Sequence, residues 1–223
     1  MDVFTDFPTL SSLRDRHPAL RGVLFDMDGT LFQTEEIHAD VLRQMAVQWK
    51  IRPPFPPEEV ETRLKGMADR QVFAMARSWP GFPPEIDEAA FIDEKNRQLL
   101  ELIPRTPLNQ WCAPAIVEFL RAARADGLIL AIVTSSERVI TDLLLETAGL
   151  TALFDLVITL QDVKFAKPHP WPYLQAMQQL GLGPRETVIF EDSVPGIASA
   201  NEAGAWVIEA QWWTNYSWSG RRM

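Results

Sequence analysis

The chain has 223 residues, a formal charge of -9 and an apolar share of 47%, enough for one core domain with a smaller insert around a packed interior. The acidic balance argues against a general nucleic-acid binder, which needs a basic face to displace phosphate counterions. No run approaches the roughly 20 apolar residues of a membrane span, the first residues lack the basic start and apolar run of a secretory signal, and a single cysteine, Cys112, forms no internal disulfide, so a cytoplasmic protein without membrane contact is the expectation.

In chain order, the first twenty residues show little periodicity and read as an arm with one short helix. Arg21–Phe25 is a short apolar strand that stops at Asp26-Met-Asp-Gly-Thr30. From Glu35 to Lys50, Ile37, Val41, Met45 and Trp49 step by four and share one helical face. The cluster Pro53-Pro-Phe-Pro-Pro57 ends that helix. Residues 58–103 read as further helices, broken at Trp79–Pro84, and no strand is expected between 34 and 105. After Pro107 the pattern changes to helix Pro114–Ala125, strand Leu128–Val133, helix Val139–Ala148, strand Leu156–Thr159, helix Tyr173–Leu180, strand Thr187–Phe190, helix Ala198–Ala203 and strand Ala205–Ile208. Short apolar strands alternating with helices imply parallel strand-helix-strand units. The expected fold is therefore α/β, a Rossmann-like parallel sheet over 1–33 and 106–223, with an inserted α-helical cap domain over 34–105. The aromatic tail from Gln211 to Gly220 is expected to pack on the core or on a second subunit.

Four segments sit just past predicted strand ends, the edge where open parallel sheets bind ligands. Asp26-Met-Asp28 carries two carboxylates, with Gly29 permitting the turn. Thr134-Ser135-Ser136 offers hydroxyls and amides, although such a run is also a common helix cap. Lys167-Pro168 is a lone cation, and Glu191-Asp192 a carboxylate pair suited to a hard ion such as magnesium. Each is weak alone. Together, Asp26, Asp28, Glu191 and Asp192 converge on one edge with only Lys167 to balance them. Like charges about 4 Å apart cost roughly 4 kcal/mol per pair at an effective dielectric of 20. A divalent cation relieves that cost and lets a phosphate dianion approach a carboxylate.

The ordered set Asp26-x-Asp28-Gly-Thr, Thr134, Lys167-Pro-x-Pro170 and Glu191-Asp192-Ser-x-x-Gly196 resembles the haloacid dehalogenase superfamily of phosphohydrolases, in the branch with a small helical cap after the first motif. The resemblance spans about residues 21–209. It implies that Asp26 is a nucleophile that is transiently phosphorylated and also ligates Mg2+. It implies that Asp28 is a general acid and base whose backbone carbonyl binds the metal. Thr134 and Lys167 hold the phosphoryl group in this pattern, and Ser135 is a candidate for binding substrate. Asp192 completes the metal site, and Glu191 is a direct or water-mediated ligand.

Within the superfamily, His38 and Lys65-Gly-Met-Ala-Asp-Arg70 are similar to substrate-facing cap residues of the beta-phosphoglucomutase-like group, with one extra residue before the arginine. For His38 a partly buried helix position is an equally good reading. Where the mutase pattern has Lys-Asn after its second motif, this chain has Glu137-Arg138, and Gln33-Thr-Glu-Glu36 departs from the usual hinge segment. A glutamate at 137 repels a bisphosphate, with Arg138 as partial compensation. The expectation is a phosphatase acting on a small phosphorylated metabolite of the sugar-phosphate or phosphoglycolate type. A phosphomutase and a non-catalytic phosphometabolite-binding protein stay open, as does the choice of monomer or homodimer. Asp28 argues against the dehalogenase branch, which lacks the second carboxylate and does not use magnesium.

Overall fold

A computed structural model describes residues 2–4, 7–64, 67 and 69–214. The chain divides into two compact units, Met1–Gln33 with Pro107–Met223, and Thr34–Thr106. The strands are β1 (Asp2–Phe4), β2 (Gly22–Phe25), β3 (Ile129–Val133), β4 (Leu156–Ile158), β5 (Thr187–Glu191) and β6 (Trp206–Ala210). The helices are α1 (Leu10–Arg16), α2 (Glu35–Gln48), α3 (Val60–Leu64), α4 (Asp69–Ala76), α5 (Glu88–Leu102), α6 (Pro114–Ala125), α7 (Arg138–Ala148), α8 (Trp171–Leu180) and α9 (Val194–Glu202).

In the first unit the described strands form one parallel sheet in the order β1-β6-β5-β2-β3-β4. Neighbouring side chains leave a strand on opposite faces, and here both faces are covered. Leu24, Ala131, Val133, Ile189 and Val207 pack on one side with Tyr173, Ala176 and Met177 of α8 and Ala200 of α9. Phe25 and Phe190, one residue on, stack at 5.1 Å on the other side and meet Phe119 of α6 edge-on. That double burial is why the strands read as unbroken apolar runs. The chain runs outward from β2 through β3 and β4 on one side, then returns to place β5 and β6 on the other. The switch of direction beside β2 leaves a crevice beyond the strand ends, the place where such sheets take ligands. Phe25 is in register with both Ile132 and Phe190, so the next residue of each strand reaches the same edge.

Two features depart from the sequence reading. The N-terminal arm contributes a strand, β1, paired with β6 from Asp2↔Ile208 to Phe4↔Ala210; three residues are too few for a periodicity to register. Helix α9 begins at Val194, four residues before the expected Ala198. The Ser193 side chain caps it by accepting from the Gly196 amide, and Pro195 sits in the first turn, where its missing N–H is no loss.

The second unit is helical, with no strand among its described residues. Ile37, Val41 and Met45 form the buried stripe of α2. Asp87 caps α5 by accepting from the Ala90 amide. Trp49, Phe73, Phe82 and Phe91 make its aromatic core. Lys95, buried on α5, pairs with Asp69 at the start of α4. Among the described residues, no helix is long and apolar enough to cross a membrane.

Candidate active site

Asp26 directly follows β2, and its amide donates to the Phe190 carbonyl of β5 at 2.9 Å. Its side chain is therefore carried to the sheet edge by strand pairing, and it is only 7% exposed. The chain then turns sharply. The amides of Thr30, Leu31 and Phe32 all donate to the Met27 carbonyl, and Gly29 takes φ +80. A side chain at 29 is excluded on two grounds, because a Cβ there would lie 2.1 Å from Asp192 Oδ2. The Asp192 carboxylate rests against this glycine, and Thr30 Oγ1 donates to Asp192 Oδ1 at 3.3 Å.

Lys167 enters from the loop after β4. Its side chain is 5% exposed. Its ammonium donates to Asp26 Oδ1 at 2.7 Å, to Glu191 Oε1 at 2.6 Å and to the Val133 carbonyl at 2.8 Å, so all three of its hydrogens have acceptors. Glu191, the last residue of β5 and fully buried, also accepts from the Tyr173 hydroxyl at 2.9 Å and from the amide and hydroxyl of Ser193. Both of its oxygens thus serve protein donors. Gly196 leaves the space for it, since a Cβ there would lie 1.7 Å from Glu191 Oε1.

Burial pushes the Asp26 carboxyl well above its ordinary value, and the charges of Glu191 and Asp192 push the same way against the opposing pull of Lys167. Lys167 is desolvated as well, but its two carboxylate partners outweigh this and hold it protonated. Tyr173 is raised by burial and by the Glu191 charge, so it stays a neutral donor. One ligand oxygen each from Asp26, Glu191 and Asp192 falls within 4.8 Å of the others. An all-oxygen cluster with surplus negative charge is the donor set of a hard cation.

Asp28 and Thr134 lie on the same edge. The Ser136 hydroxyl donates to Asp28 Oδ2, and the Ser136 amide donates to Thr134 Oγ1 at 3.0 Å. Ser136 therefore ties the second carboxylate to the end of β3.

A sequence model of the family described as Haloacid dehalogenase-like hydrolase matches residues 23–210. The chain belongs to the haloacid dehalogenase-like hydrolases. Protein CbbY of Rhodobacter capsulatus is 31% identical over 195 residues, covering 85% of this chain and 84% of that protein. Phosphoglycolate phosphatase of Salmonella paratyphi A is 31% identical over 212 residues, covering 88% and 83%. The crystal structure of CbbY from Rhodobacter sphaeroides in complex with phosphate superposes with a TM-score of 0.74, at 24% identity and 85% coverage of each chain, a likeness of fold.

In this haloacid dehalogenase-like hydrolase the structure brings Asp26, Asp28, Thr134, Lys167, Glu191 and Asp192 to one sheet edge. Ser135 is exposed, and its neighbour Ser136 makes the contact with Asp28 instead. Which serine of a Thr-Ser-Ser run points inward depends on the turn into α7, which has no signature in the residue types. His38 is half-buried on α2. Arg70 is exposed at the start of α4 and pairs with Glu88 at 3.5 Å. Lys65 lies outside the described residues. Tyr173 has no signal in the sequence, and Thr30 and Ser193, although they stand in the quoted motifs, carry no role there, because their part depends on strands that meet only in the fold.

Proposed function

We propose that the chain is a magnesium-dependent phosphatase that hydrolyses a small phosphate monoester of the sugar-phosphate or phosphoglycolate type through an aspartyl-phosphate on Asp26. The observation that carries this reading is the buried Asp26 carboxylate held by Lys167 in a cluster with Glu191 and Asp192. The cluster fits Mg2+: its donors are carboxylate oxygens, and its negative charges exceed the single ammonium. Asp26 and Asp192, with the Asp28 backbone carbonyl, are the residues assigned to the ion. Glu191 is assigned to hold Lys167, since its oxygens are already engaged. When bound, magnesium supplies charge neutralisation that lets a phosphate dianion meet a carboxylate.

The residues then divide the work. Asp26 attacks phosphorus in line as the ester oxygen leaves, and Asp28 gives that oxygen a proton, releasing the alcohol. Asp28, now a carboxylate, takes a proton from water as the water attacks the acyl-phosphate phosphorus. Phosphate departs and the Asp26 carboxylate is restored. Ser136 keeps Asp28 oriented for both transfers. Lys167 and Thr134 meet the charge on the equatorial oxygens. His38, Lys65 and Arg70 are assigned to substrate choice, to be read as changes in relative KM between substrates.

One observation bears on the mutase alternative. Arg138, the residue that was to compensate for Glu137, donates to the Val157 carbonyl at 3.0 Å and pairs with Asp162. That engagement commits Arg138 to β4 and to Asp162 rather than to a second phosphate, and supports hydrolysis. The test is phosphate release from a panel of phosphorylated metabolites with and without magnesium, alongside glucose 1-phosphate followed for glucose 6-phosphate. Magnesium-dependent phosphate release that is lost in a folded Asp26→Asn variant is the expected result. Turnover by Asp26→Asn, or isomerisation without release, would refute it.

A further inference from the structure

Strand β6 ends at Ala210, and the next turn, Trp212–Thr214, carries two tryptophans whose rings are almost fully buried. Their indole N–H groups converge. Trp212 Nε1 and Trp213 Nε1 each donate to the carbonyl oxygen of Thr30 at 3.0 Å. A carbonyl has two lone pairs, and both are used here by side chains from the far end of the chain. Thr30 is fully buried, so water is not available to replace either donor. Trp212 is fixed in turn by Phe7 at 4.7 Å and Phe190 at 5.7 Å.

Packing alone does not require this arrangement, since buried aromatic rings pack without aiming two donors at one oxygen. What the clamp holds is the segment that seats Asp192. The Thr30 hydroxyl donates to Asp192 Oδ1, and the preceding Gly29 has Asp192 Oδ2 against its Cα. A tilt of the peptide after Thr30 would move both contacts together.

We propose that Trp212 and Trp213 are positioning residues for the carboxylate cluster, clamping the Thr30 carbonyl so that Asp192 is held ready for the cation. The inference rests on the reading of that cluster as a magnesium site. The test is calorimetric titration of MgCl2 into metal-free enzyme, with no substrate present, for wild type and for Trp212→Phe/Trp213→Phe, which keeps a smaller aromatic ring at each position and removes both donors. The expected result is a dissociation constant about tenfold higher in the double variant, equivalent to about 1.4 kcal/mol. A kcat near wild type should be restored at saturating magnesium. A dissociation constant within twofold of wild type, whatever happens to the melting temperature, would overturn the clamp and leave the magnesium site standing. Wild-type enzyme that takes up no magnesium would overturn both. Should the double variant not fold, Trp213→Phe alone carries the same readout, with about a threefold rise expected and an unchanged constant counting against the clamp.

Discussion

Replacing Lys167 by Met keeps the length of the side chain and deletes its charge, so it isolates what the ammonium does. In wild type that ammonium lies 2.7 Å from Asp26 Oδ1 and 2.6 Å from Glu191 Oε1, with its side chain 5% exposed. Each attraction is about 6 kcal/mol at an effective dielectric of 20, and desolvation of the three ions offsets several kcal/mol of the total. The variant leaves two buried carboxylates facing each other without a counterion, for which about 3–5 kcal/mol of lost stability is expected. Urea unfolding of metal-free protein at pH 7.5 measures it. The sign with pH follows from Asp26, whose carboxyl is already raised by burial and by Glu191 and Asp192. Removing Lys167 takes away the opposing pull and raises it further. The folded variant then binds more protons than the unfolded chain, so its stability recovers as pH falls. The gap to wild type should shrink by at least half at pH 5.5, and turnover should drop by about 10²–10³. A metal-free variant within about 1 kcal/mol of wild type at pH 7.5, or a loss identical at both pH values, would refute the account of Lys167 as the buried counterion.

Glu94 on α5 gives a smaller effect of opposite sign. Its hydrogen bond from Arg97, aided by Gln98, lowers its carboxyl to about 2 against the weaker upward push of burial. A lowered carboxyl adds stability that is present above its ordinary value near 4.5 and is lost as pH falls toward 2. Glu94→Gln should therefore lower stability in the neutral region and flatten the acid limb in that window, so that the two curves converge toward pH 2; parallel acid limbs would contradict this. Cys112 is buried, and burial pushes its thiol up to about 12. At pH 8 the native protein should leave a disulfide reagent unreacted, because roughly one thiol in 10⁴ is ionised, and should release one equivalent after unfolding in urea. Rapid reaction of the folded enzyme would show the burial to be wrong.

Much of the core and its edge was legible because strands buried on both faces leave unbroken apolar runs, and each run ended at chemistry: Phe25 at Asp26, Val133 at Thr134, Phe190 at Glu191. The helices of the second unit were legible from the four-residue step of Ile37, Val41 and Met45 and from the absence of strand patterns up to residue 105. Strand β1 was not legible, since three residues carry no period and its pairing with β6 joins the two ends of the sequence. The α9 start was misplaced because Pro195-Gly196 looks like a break, whereas Pro is harmless in a first helical turn and Gly196 is present for the Glu191 carboxylate.

The residue types alone determined that several carboxylates and one lysine follow strand ends in an α/β chain, and so determined the family resemblance. Tertiary structure decided how those charges are shared. Lys167 is divided between Asp26 and Glu191, Ser136 rather than Ser135 meets Asp28, and two tryptophans from beyond β6 close on Thr30. Those assignments rest on contacts a few ångströms long between residues up to 183 positions apart. Their geometry follows from the strand register and the left-handed turn at Gly29, and no local pattern encodes it.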